Sequence, residues 1–144
     1  MKYLKITWQS KIKIIVTDDH ALFRRGVRTA LDKWSDLEII EEACNGQELL
    51  DLLETVIPDI VILNITMPVM NGIETLPIIR EKYPDLKVIV LTMHNDSRMV
   101  TKMMSLGANT YLTKNSDSAK ICEAIRCVHE YGYYYSEAIK EALL

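Results

Sequence analysis

A chain of 144 residues holds one domain with a real core and is too short for two ordinary ones. Hydrophobic residues make up 49% and charged residues 26%, a normal globular mix, and a net charge of −3 argues against nucleic-acid binding by this chain alone, which would need clustered Lys and Arg. No apolar stretch approaches the roughly 20 residues of a membrane span, no signal peptide opens the chain, and Cys44, Cys122 and Cys127 lack metal-ligand spacing, so they read as reduced thiols of a cytoplasmic protein.

Lys2 to Trp8 alternates weakly, which sets residues 1–10 apart as an extended arm, a cloning remnant or an upstream start. The domain proper is expected over 11–131. Ile12–Val16 reads as a first strand and ends in Asp18-Asp19. Leu22, Gly26, Ala30 and Trp34 recur at a helical period and predict the apolar stripe of a first helix. Leu37–Ala43 is the second strand, and Leu49, Leu53 and Val56 mark the second helix. Asp59–Leu63 is the third strand, ending at Asn64. Asn71 then has the place of an N-cap, with Glu74 three residues on in a capping-box arrangement. Pro77 falls inside the helix that follows and predicts a tolerated surface kink.

Lys87–Leu91 is the fourth strand and ends at Thr92; Met99, Met103 and Leu106 form a helical stripe expected to face the core. Thr110–Leu112 is the fifth strand, followed closely by Lys114, and Ile121, Ile125 and Val128 mark the fifth helix. Pro58, Pro84 and Gly107 fall in joints. The tyrosine-rich stretch Tyr131 to Ser136 closes that helix, and Glu137 to Leu144 starts another helical pattern; 132–144 is expected to begin a linker.

Five β-then-α units in succession imply a parallel sheet with helices on both faces. Ligands of such sheets bind beyond the carboxyl ends of the strands. Asp18-Asp19, Asn64, Thr92 and Lys114 each stand at or just past such an end, on four different strands. They would converge in one crevice.

Those residues, with Met67-Pro68 and Asn71-Gly72 at fixed offsets, resemble the receiver domain of bacterial two-component response regulators. The segment Asp18 to Gly26, Asn45-Gly46, Leu91-Thr92-Met93-His94 and the tyrosine-rich end resemble the NarL/FixJ branch in particular, whose members have a LuxR-type output domain. The resemblance covers roughly Lys11 to Tyr135. It implies a flavodoxin-like (βα)5 doubly wound sheet with strand order 2-1-3-4-5. It implies a signalling module rather than an enzyme, with a sensor histidine kinase as partner. DNA would be reached only through a helix-turn-helix domain absent from this chain, and a homodimer is left open.

The resemblance also distributes roles. Asp18 and Asp19 match the acidic pocket for Mg²⁺, completed by the backbone carbonyl of Thr66 and by the side chain at 64. Asn64 stands where the family has its phosphate-accepting aspartate. Thr92 matches the hydroxyl residue that follows the phosphoryl group, Lys114 the lysine that neutralises it, and Tyr111 the aromatic switch that swings inward with Thr92. A neutral amide at 64 is a poor nucleophile and removes one charge from the metal site, so phosphorylation is expected to be blocked, Mg²⁺ binding weakened and the inactive state favoured. Asn64 is either an engineered change or a natural variant, and the sequence does not separate the two. A phosphorylation-independent interaction module is the alternative function. A Mg²⁺-dependent phosphohydrolase using Asp18-Asp19 lacks a second acidic cluster or general acid downstream.

Overall fold

The structure, a computed structural model, describes residues 10–143. The expected arm from Lys2 to Trp8 lies outside the described residues. Five parallel strands, β1 (Ile12–Thr17), β2 (Leu37–Ala43), β3 (Ile60–Leu63), β4 (Lys87–Thr92) and β5 (Thr110–Thr113), form one sheet in the order β2-β1-β3-β4-β5. They alternate with α1 (Ala21–Leu31), α2 (Gly46–Leu53), α3 (Gly72–Lys82), α4 (Ser97–Ser105) and α5 (Ser118–Tyr131), and α6 (Glu137–Leu143) follows. Each strand lies within one residue of its expected bounds. β3 begins one residue late because Asp59 is used as a clamp: its carboxylate accepts from Lys13 N at 2.7 Å.

Successive residues of a strand point to opposite faces, so the sheet feeds two cores. Ile15, Val61, Leu63, Val88, Val90 and Tyr111 face one, closed by α2, α3, α4 and α6. Ile14, Val16, Ile62, Ile89, Leu91 and Leu112 face the other, closed by α1 and α5. Helices therefore cover both faces, as a doubly wound sheet requires.

Of the stripe expected for α1, Trp34 packs against the core and Ala30 is half-buried, but the helix turns a neighbouring set inward. Val27 and Leu31 are buried and Phe23 packs against them, whereas Leu22 is 77% exposed and Gly26 is exposed. Both sets recur at the same spacing, and one residue is about 100° of helix. The bulkier set with Arg28 at its margin takes the inner face. In α3 the capping box forms in both directions: Asn71 Oδ1 accepts from Glu74 N at 2.9 Å and Glu74 Oε1 from Asn71 N at 3.0 Å. Pro77 lies on the exposed side of that helix. The Met99–Met103 stripe faces the core, with Met103 buried and Met99 packed beside it.

The stretch expected to begin a linker packs against the domain over its described length. Gly132 ends α5 in a left-handed conformation (φ 86°) and turns the chain back. α6 then packs against α4 and β5, with Ile139 joining the core that holds Val100 and Met103 and with Ala138 and Ala142 against that core.

Candidate functional site

The strand order reverses between β1 and β3, and the crevice opens there. Backbone bonds splice the strand ends together. Asn64 N donates to Thr17 O (3.0 Å), Asp18 N to Ala43 O (3.0 Å) and Lys114 N to Thr92 O (2.8 Å). Asp18, Asn64, Thr92 and Lys114 are thereby held at neighbouring strand ends. Asp18, Asn64 and Thr92 are buried.

Asp18 is the hub. Its Oδ2 lies 2.7 Å from Lys114 Nζ, an ion pair between two almost wholly buried side chains. That approach falls outside hydrogen-bonding geometry, so Oδ2 has no hydrogen-bond donor; buried Asp19 Oδ1 has none either. Asp18 Oδ1 accepts from His20 N at 2.9 Å, and the His20 ring reaches both acids, with Nδ1 3.2 Å from Asp18 and 3.4 Å from Asp19. Arg24 Nη1 donates to Asp18 O at 2.6 Å, and Lys114 Nζ stands 4.1 Å over the Phe23 ring. Arg24 and Phe23 were not legible as site residues, because their part is to steady Asp18 and Lys114 from α1.

The loop after β3 explains the spacing Met67-Pro68…Asn71-Gly72. Met67 anchors in the core and Asn71 caps α3. Gly72 N donates to Ile65 O at 2.7 Å, and a Cβ on Gly72 would sit 2.5 Å from Asn64 O. Only glycine permits that approach. Between these anchors Val69 takes a left-handed conformation (φ 67°) while Met70 N donates to Pro68 O at 2.7 Å, a strained γ-turn for a β-branched residue. Asn64 turns its amide inward along this loop, with Nδ2 donating to Thr66 O at 3.0 Å.

His94 links three elements of the site. Its Nε2 pairs with Thr66 Oγ1 at 2.7 Å, its backbone N reaches Thr92 Oγ1 at 3.4 Å, and its carbonyl accepts from Tyr111 OH at 2.7 Å. Tyr111 is fully buried, and burial, with Asp96 nearby, pushes its phenol well above the ordinary value. The ring lies in the core on the same sheet face as Val88 and Val90.

Residues 14–126 match the family described as the response regulator receiver domain. The chain belongs to that family. It is 35% identical over 136 residues to the transcriptional regulatory protein DegU of Brevibacillus brevis, covering 94% of this chain and 58% of that one. It is 38% identical over 121 residues to the transcriptional regulatory protein LnrK of Bacillus subtilis (strain 168), covering 84% of this chain and 55% of that one. The receiver therefore spans under three-fifths of the length of these relatives. Among solved structures it resembles a LuxR-family two-component response regulator from Aurantimonas sp. SI85-9A1, with a TM-score of 0.86 and 30% identity over 93% of this chain and 96% of that one. The relatives agree with the NarL/FixJ resemblance, and the strand order agrees with the fold it implied.

Receivers hold Mg²⁺ in an acidic pocket. Here Asp18, paired with Lys114, and Asp19, whose buried Oδ1 has no hydrogen-bond donor, bring two carboxylates together with His20, an oxygen-rich cluster that suits a hard divalent cation. The Asn64 amide offers one neutral oxygen and spends its N–H on the Thr66 carbonyl, a group a cation would compete for. Among the described residues, no helix is long and apolar enough to cross a membrane.

Proposed function

We propose that this receiver is the input half of a cytoplasmic transcriptional response regulator, with its phosphoryl pocket intact except at residue 64. The observation that carries the reading is the Asn64 side chain, an amide in the nucleophile's place, bonded to Thr66 O while Asp18, Asp19, Thr92 and Lys114 surround the crevice. An aspartate at 64 would attack the phosphorus of a donor in line, forming an acyl phosphate as the leaving group departs. The Thr92 hydroxyl would donate to a phosphoryl oxygen, and Lys114 would shift its charge from Asp18 toward the phosphate. Mg²⁺, held by Asp18, Asp19, Thr66 O and the side chain at 64, would neutralise charge on the group in transfer. A sensor histidine kinase would be the donor, and DNA would be contacted by a further domain.

The test is intact mass after acetyl phosphate and Mg²⁺, on this chain and on Asn64→Asp. Only Asn64→Asp should gain a phosphoryl group, and calorimetry should show its Mg²⁺ affinity about tenfold higher or more, since a full charge returns to the site. A phosphoryl adduct on Asn64 itself would refute the block.

A second reading, a phosphorylation-independent interaction module, is favoured by the inward Tyr111. It predicts partner binding by the chain as it stands, without Mg²⁺. Binding that appears only with Asn64→Asp would exclude it.

A further inference from the structure

We propose that α6 is an intramolecular occupant of the α4–β5 face, and that its docking and the inward seat of Tyr111 form one two-state element. The reading of Tyr111 as a switch rests on the receiver function proposed above; the coupling itself rests on geometry.

Three bonds tie the segment after α5 to β5 and the residue before it. Asn109 Nδ2 donates to Gly132 O at 2.9 Å, Thr110 Oγ1 to Tyr134 O at 2.6 Å and Ser136 Oγ to Tyr111 O at 2.5 Å. Ser136 is buried and serves two elements, because its Oγ also accepts from Ile139 N at 3.2 Å and so caps the start of α6. The oxygen that orders α6 is the one that grips the switch residue's backbone.

Packing joins the same pieces. Ile139, Val100, Met103 and Tyr111 belong to one core. Tyr111 is therefore held at two points: its hydroxyl by the His94 carbonyl on the pocket side, its carbonyl by Ser136 on the α6 side. Bonds then run without a break from Thr66 and Thr92, through His94, Tyr111 and Ser136, to α6. A ring that left its seat would open a hole in the core that Ile139 shares, and a helix that left would free the Tyr111 carbonyl. Each favours the other's departure, and such coupling is reciprocal. A partner that uses the α4–β5 face must first displace α6.

The test needs no phosphodonor, so failure of the phosphoryl reading leaves it unaffected. Ile139→Asp and Ser136→Ala are made in the whole chain. Amide exchange is followed over α6 and, as a control for global unfolding, over α2. The Tyr111 side chain is followed by fluorine resonance after 3-fluorotyrosine labelling, assigned with Tyr111→Phe. Ile139→Asp should speed exchange across α6 about tenfold or more while α2 stays protected, and should move the Tyr111 resonance; Ser136→Ala should shift both in the same direction by less. Release of α6 with an unmoved Tyr111 resonance would overturn the proposal, as would α6 exchange unchanged in both variants. Should Ile139→Asp unfold α2 as well, Ser136→Ala decides alone.

Discussion

Single residues at this site work mainly by what they exclude. Gly72 has no side chain because its Cα lies against the backbone of residue 64; an added Cβ would meet Asn64 O at 2.5 Å and Ile65 Cα at 3.0 Å, both backbone atoms with little room to yield. Gly72→Ala should cost about 3 kcal/mol, read as a lower urea midpoint at unchanged slope. The Asn-Gly pair at 71–72 thus joins two tasks, a cap and a close approach, and only the cap was legible from sequence. Asn64 itself was legible, because an apolar run and a fixed downstream spacing point at that position whatever occupies it. His94 was harder to place. Its part depends on one backbone carbonyl and one ring nitrogen reaching residues 17 and 28 positions away, and no local pattern records such reach.

Helices and strands were legible to different depths. Short apolar runs bounded by Pro, Gly and acids gave the strands to within a residue, because a strand buried on both faces can hold little else. The α1 face was misread because two interleaved stripes share one period and side-chain bulk decides between them. For α3 the cap was legible and the cost of Pro77 is open to measurement. Pro77 removes the hydrogen bond to Ile73 O, and its exposed ring gains little packing in return. Pro77→Ala should raise stability by about 1 kcal/mol, less than the full penalty for an interior proline because proline also restrains the unfolded chain. A lower urea midpoint in that variant would show that the ring supports a contact worth more than the lost bond.

At the scale of the whole molecule, the layer of α1 and α5 is laced to β2 and its preceding turn by exposed ion pairs. Arg126 meets Asp36 with two bonds of 2.8 Å, and Glu42 takes both Arg24 (2.9 Å) and Arg28 (2.7 Å). The Arg126 hydrogen bonds hold the Asp36 carboxyl below its ordinary 3.8, and the Arg28 bond, helped by Arg24, holds Glu42 below its ordinary 4.5. A depressed carboxyl stabilises the fold fully above its unfolded value and loses that contribution as pH falls through the folded one. Thermal stability should therefore be level down to about pH 5 and fall below about pH 4.5, with a shallower fall in Asp36→Asn and in high salt, since these half-exposed pairs are screened. The layered order was legible from the succession of units. The return of the chain onto α4 was not, because Ile139 and two alanines in a short stretch read equally well as a helix that leads away.

That return has a consequence for solubility. β5 is an edge of the sheet, and edge strands offer unpaired backbone groups to any other strand they meet. Ser136 takes the Tyr111 carbonyl on that edge, and the Thr110 hydroxyl engages the chain at Tyr134. The opposite edge, β2, carries Glu38 and Glu41 besides the arginine-paired Glu42, and those two charges repel a second copy laid beside it. One edge is guarded by like charge and the other by the chain that follows α5, so the segment from Gly132 onward also keeps copies of this sheet from growing into one another.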